Sequence, residues 1–168
     1  MKRIIVFLFT IAVFTACNNG PERWTRTSQE IDATKALVKD YLAGDWKNWS
    51  NHYADTAKVF HNTITAATSQ QLQDAYKADI TNYSSYKFSD KDIYYEMIID
   101  EFNNKWVYFW GTWEGTTKAT NQKFIIPVHL ALKFVNGKIA EEYGYYNRSA
   151  LDAALKEIVA AAAVPPVM

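Results

Sequence analysis

Apolar residues first recur with a helical period. Ile31, Thr34, Val38, Tyr41 and Leu42 share one face of a predicted helix. Ser28 stands before it as a cap, Glu30 and Asp32 put negative charge in its first turn, and Gly44 follows its last periodic residue. Asp45 opens a second helical stretch, DWKNWSNHY, whose apolar set is Trp46, Trp49 and Tyr53. Residues 58–61 read as a short strand. Ser69 starts a third helix in which Leu72, Ala75, Tyr76, Ile80 and Tyr83 keep helical spacing. Beyond it the period drops to two. Residues 92–102 and 106–117 read as strands joined at Asn103-Asn104, a turn-favouring pair.

The strongest pattern lies in residues 124–147. FIIPVHLALKFV and KIAEEYGYYN flank Asn136-Gly137, the signature of a hairpin with a tight primed turn. Ile126, Val128, Leu130, Leu132 and Phe134 alternate onto one face; Pro127, His129, Ala131 and Lys133 take the other. Ser149-Ala-Leu-Asp152 has the form of a capping box and begins a last helix running to about Ala162, which Pro165-Pro166 cannot continue. Helices early and a meander late predict an α+β domain, with a curved antiparallel sheet half-wrapped round the N-terminal helices as a cone with one open mouth. Pockets favour such places.

The chain's start changes the picture. Lys2 and Arg3 precede an apolar run too short to span a bilayer comfortably, so residues 1–16 read as a signal peptide. Phe14-Thr15-Ala16-Cys17 resembles a bacterial lipobox, with Phe14 where leucine is usual. The resemblance implies cleavage before Cys17, lipidation of its thiol, and a protein held to a membrane of the bacterial envelope from outside. Residues 17–27 would be a polar tether, 28–163 the domain and 164–168 a tail. Cys17 is the sole cysteine, so lipidation would leave no thiol for a disulfide, a thiolate metal site or a nucleophile. Removing Lys2 and Arg3 from 18 basic residues leaves 16 against 18 acidic ones, a charge of −2. That balance gives no reason to expect nucleic acid as a partner.

Three short pieces carry a family resemblance: Leu42-Ala-Gly44-Asp45-Trp46, then Tyr53-Ala-Asp55-Thr-Ala57-Lys-Val59, then Asn136-Gly137-Lys138-Ile139 with Glu141, Tyr145 and Asn147. In this order and spacing the chain resembles the SnoaL-like branch of the NTF2-like superfamily, over roughly residues 28–155. The resemblance implies the cone fold. It does not by itself imply an activity, because the fold hosts isomerases, dehydratases, hydrolases, cyclases and proteins without catalysis. Carried over from the ketosteroid isomerases, which share the fold, the general-base position falls on His61. The two oxyanion-donor positions fall on Leu37 and Leu130, and the pocket wall of the closing strand on Glu142, Gly144 and Tyr146. The resemblance thus implies a base position kept in a different chemistry and a missing oxyanion hole, which speaks against steroid-type isomerisation.

His61 can exchange a proton near neutral pH, a carboxylate at Glu142 could orient it, and Tyr146 could add a hydroxyl. A strand-end histidine satisfied by backbone or water is the bland alternative. His129 falls by parity on the outer sheet face, and His52 lies outside the second helix's apolar set, where exposure is expected. The histidines do not converge and no HxH or HExxH spacing occurs, so no metal or cofactor is expected. The chain holds 6 Trp, 9 Phe and 11 Tyr, and residues 106–113 are aromatic on both faces. One reading places Tyr108 and Trp110 in the pocket. Another makes the outer face a homodimer or interaction surface, with Trp113 as its marker. The leading expectation is a lipid-anchored domain that binds a small, largely apolar ligand. The rivals are a metal-free lyase, isomerase or hydrolase using His61 as base with Glu142 orienting it, and an interaction module.

Overall fold

The computed structural model describes residues 22–163. The stretch read as a signal peptide, Cys17 and Pro165-Pro166 lie outside them. Helix α1 spans Gln29–Ala43; Ser28 accepts from the Ile31 amide at 3.1 Å, and Gly44 ends the helix in the left-handed region at φ 66°. Helix α2, Trp46–Ser50, is capped by Asp45 but is shorter than its apolar pattern suggested. Tyr53 instead begins strand β2, Tyr53–His61. Helix α3, Ser69–Ile80, carries a full capping box of Thr68 and Gln71. Helix α4, Ser149–Ala162, does not use the box expected at Ser149: Arg148 occupies the cap with no side-chain bond, and Asn147 Oδ1 takes the Ser149 amide instead.

The sheet is larger than the sequence pattern indicated. Three strands were not anticipated: β1 (Trp24–Thr25), β3 (Ala67–Thr68) and β4 (Tyr83–Phe88). Tyr83 opens a strand rather than ending α3 because the helix stops at Ile80. β1 lies inside the stretch read as a tether and pairs with β5, Tyr94–Ile99. The long strands β6 (Lys105–Thr117) and β7 (Lys123–Val135) pair along nearly their whole length, and β8 (Lys138–Tyr146) closes the expected hairpin. Asn136 and Gly137 both adopt positive φ, as a primed turn requires.

The sheet order is β1-β5-β6-β7-β8-β2-β3, and β4 shares one edge of β6 with β5, end to end. All pairings are antiparallel except β2 on β8, which is parallel and sets His61 opposite Gly144. The molecule is therefore α+β, with helices against a curved, unclosed sheet and a C-terminal helix, as the pattern predicted. Val107, Phe109, Leu132 and Ile139 of its strands are fully buried in the core.

Candidate functional site

Strand parity aims the site. On β8 the inward residues are Glu142, Gly144 and Tyr146; on β2 they are Ala57, Val59 and His61. Because β2 runs parallel beside β8, the His61 ring lies across the β8 backbone at Gly144. A Cβ at residue 144 would stand 2.7 Å from His61 Cδ2 and 2.8 Å from Nε2, so glycine is what lets the imidazole occupy this place.

Four side chains form one chain of hydrogen bonds there. Tyr53 Oη donates to Glu142 Oε2 at 2.5 Å; His61 Nε2 meets Glu142 Oε1 at 2.8 Å; His61 Nδ1 meets Tyr146 Oη at 3.0 Å. A carboxylate only accepts, so Nε2 carries the proton facing Glu142. In the neutral ring Nδ1 is then the acceptor, and Tyr146 donates to it. Glu142 is 1% exposed with both oxygens engaged, which is how a carboxylate is tolerated at this depth. Burial pushes the Tyr146 phenol up to about 12, with the Glu142 charge adding to the effect, so Tyr146 stays protonated at neutral pH. Burial and then Glu142 raise the Tyr53 phenol well above its ordinary range.

A cavity of about 90 Å³ opens against this network. Leu37, Val128, Leu130, Phe88 and Trp113 give it apolar walls; Tyr41, Trp49, Tyr53 and Tyr76 bring aromatic rings with polar tips. Glu142 and Tyr146 line it. His61 does not; it sits one layer behind, reaching the cavity through them. Asp79 and Arg148 also line it, as a two-pronged ion pair at 2.8 and 3.3 Å. Arg148 holds Asp152 as well, at 2.7 Å, and so ties α4 to α3.

The structure brings together His61, Glu142, Gly144 and Tyr146, and puts Leu37 and Leu130 on the cavity wall. It separates Tyr108 and Trp110 from them. These two point to the outer face, where the Trp110 ring stacks on His129 with centroids 3.7 Å apart and Tyr108 flanks the same imidazole. The alternation of β6 explains the correction: Val107, Phe109, Gly111 and Trp113 face inward, so their neighbours cannot. Trp113, 6% exposed, is accordingly a cavity residue and no marker of the outer surface. His129 does lie outside, with burial pulling its pKa below the usual histidine value. His52 is half-buried rather than exposed, because Nε2 pairs with Asp40 Oδ2 at 2.8 Å. Among the described residues no cluster of three or more His, Cys, Asp or Glu is placed to hold a metal ion.

Sequence reasoning missed Tyr41, Tyr53 and Tyr76 as site residues because they fitted the apolar faces of helices. The available signal was that a tyrosine on a core-facing stripe brings a hydroxyl that needs a partner or a cavity.

No family profile matches the sequence, and no curated protein matches it. Solved structures do. AclR from Streptomyces galilaeus, assigned as a hydroxylase, aligns over 77% of this chain and 96% of its own at 15% identity and a TM-score of 0.62. A protein from Shewanella putrefaciens assigned as a SnoaL-like polyketide cyclase aligns over 78% and 98%, at 15% identity and TM-score 0.58. A protein with a ketosteroid isomerase-like fold from Catenulispora acidiphila, solved with trimethylamine, aligns over 73% and 90%, at 14% identity and TM-score 0.55. At such identities the likeness speaks for architecture, and the architecture is the NTF2-like, ketosteroid isomerase-like fold.

Proposed function

We propose that this chain binds a small, largely apolar molecule in the cavity between its helices and sheet, and that a lipid at Cys17 holds it to the outside of a bacterial membrane. The cavity carries the first part: a mostly apolar, aromatic-walled space within the domain, with tyrosine hydroxyls, Glu142 and the Asp79–Arg148 pair among its lining. Val128→Phe adds a ring at that wall. It is expected to abolish binding of a small hydrocarbon such as methylenecyclopentane; undiminished binding would place the ligand elsewhere. The lipobox-like Phe14-Thr15-Ala16-Cys17 supports the anchor. Cys17→Ser should move the protein from the membrane to the soluble fraction, and its continued sedimentation with membranes would refute the anchor.

The 2.8 Å contact between His61 and Glu142 favours a second reading, an acid–base lyase, isomerase or hydrolase. In it Tyr146 meets the substrate. As Tyr146 Oη takes a proton from the substrate, it passes its own to His61 Nδ1, and Glu142 stabilises the imidazolium. His61→Ala separates the two readings. Binding should survive, because His61 lies behind the wall. Catalysis through the relay should fall by roughly 10²–10⁴-fold. Turnover that persists, or that never existed, rules the relay out.

A further inference from the structure

A count of hydrogen-bond donors on the cavity wall says what kind of ligand it takes. Most polar tips are spoken for. Tyr53 donates to Glu142, Tyr146 to the neutral His61, and Arg148 to Asp79 and Asp152. Both Glu142 oxygens accept, and so do both Asp79 oxygens, one of them also from Tyr83. Three groups remain. Tyr41 accepts from Trp113 Nε1 at 3.2 Å, but its own hydroxyl proton has no acceptor among the described residues. Tyr76 Oη has no partner among them, nor has Trp49 Nε1, although both rings line the cavity. No sealed polar side-chain atom is left unpaired among the described residues, so Tyr76 Oη and Trp49 Nε1 are not closed off from free space; Tyr41 lines the same cavity.

The three are neighbours. The Tyr41 and Tyr76 rings are 5.1 Å apart, and those of Trp49 and Tyr76 are 6.0 Å apart. Tyr76 also feels the Tyr146 phenol, which adds to the burial that raises its own pKa. The wall thus offers an excess of donors, all of which stay protonated at neutral pH, beside apolar surface. An indole N–H only donates, and an unmet donor in such a place is costly.

We propose that the Tyr41, Tyr76 and Trp49 donors form a subsite for a hydrogen-bond acceptor, and that the ligand is a small neutral carbonyl compound. This rests on the cavity being the binding site. The charges around it speak against an anion, because Arg148 is already matched by two aspartates and the buried Glu142 carboxylate repels one; an ammonium has no lone pair to accept from the three donors, which leaves a neutral acceptor. The volume suits a single small ring. Tyr41 lies one helical turn beyond Leu37 on the same face of α1, and both line the cavity.

The test compares cyclopentanone with methylenecyclopentane, its hydrocarbon counterpart, on the full chain and on a Tyr41→Phe/Tyr76→Phe variant that keeps both rings. The ketone is expected to bind more tightly than the hydrocarbon. The double variant should weaken the ketone about 10-fold or more, at roughly 3- to 10-fold per hydrogen bond, and leave the hydrocarbon within about twofold. The ¹³C-labelled carbonyl of the bound ketone should move upfield in the variant, toward its position in hydrocarbon solvent. A ketone no tighter than the hydrocarbon, or a carbonyl signal unmoved by the two substitutions, overturns the subsite while leaving an apolar cavity. Failure of both probes to bind overturns the cavity as a binding site, and the subsite with it.

Discussion

His61 is seated by an absence. The parallel register of β2 on β8 places it opposite Gly144, and the missing Cβ is the space its ring fills. Gly144→Ala would put a methyl group within 3 Å of three imidazole atoms, with strand backbone on one side and the buried Glu142 on the other. The variant is expected to lose roughly 1–3 kcal/mol in denaturant unfolding, from overpacking and the disturbed carboxylate contact. A ¹⁵N spectrum should show the Nε2–H to Glu142 weakened or lost. A variant with wild-type stability and an unaltered imidazole spectrum would mean that the ring is not held there. The positions of His61, Glu142 and Tyr146 were legible in the sequence through strand parity and family likeness. Tyr53 was not, because its spacing from Trp49 reads equally well as one more helical turn. Only the fold reveals that the chain has straightened there and turned its hydroxyl onto Glu142.

The hairpins are the elements whose pattern spoke most clearly. Asn136-Gly137 and the alternation of β7 predicted faces that the structure keeps, from Phe124 to Phe134. β6 was harder to read. Aromatics on both faces hide the period, and of the two readings this leaves open, the one with Tyr108 and Trp110 in the pocket is off by one residue of register. β4 escaped altogether, since Tyr83 continues the helical spacing and YSSYKF carries little alternation. The turn joining β5 to β6 rests on Asp100, whose carboxylate accepts from the amides of Phe102 and Asn104, from Asn104 Nδ2 and from Trp106 Nε1. Desolvation raises its pKa, but those bonds outweigh it and bring it down to about 2. A carboxyl held below its unfolded value near ~3.9 stabilises the fold above that value and loses its contribution as pH falls toward 2. Asp100→Ala should therefore lower the melting temperature at pH 6 more than at pH 2. An equal loss at both would contradict this account of the turn.

Across the whole molecule, the sheet separates two surfaces of different chemistry. Its outer face carries Trp110, His129 and Tyr145 in near-parallel array, with Trp110 and Tyr145 about half exposed. If two copies pair through this face, Trp110→Glu is expected to yield a monomer by light scattering; an unchanged mass would exclude such a dimer. Its inner face holds the cavity, which Tyr53, Glu142 and Tyr146 of the network line while His61 bonds to two of them from outside the lining. The central claim is that a small molecule enters this inner space. Methyl ¹H–¹³C spectra during titration with cyclopentanone test it most directly. Saturable shifts are predicted at Leu37, Val38, Val128, Leu130 and Leu151, which line the cavity, with Val135 and Val159 on the exterior unmoved. Cavity methyls that stay still while exterior ones respond, or no saturable response at all, would contradict the claim.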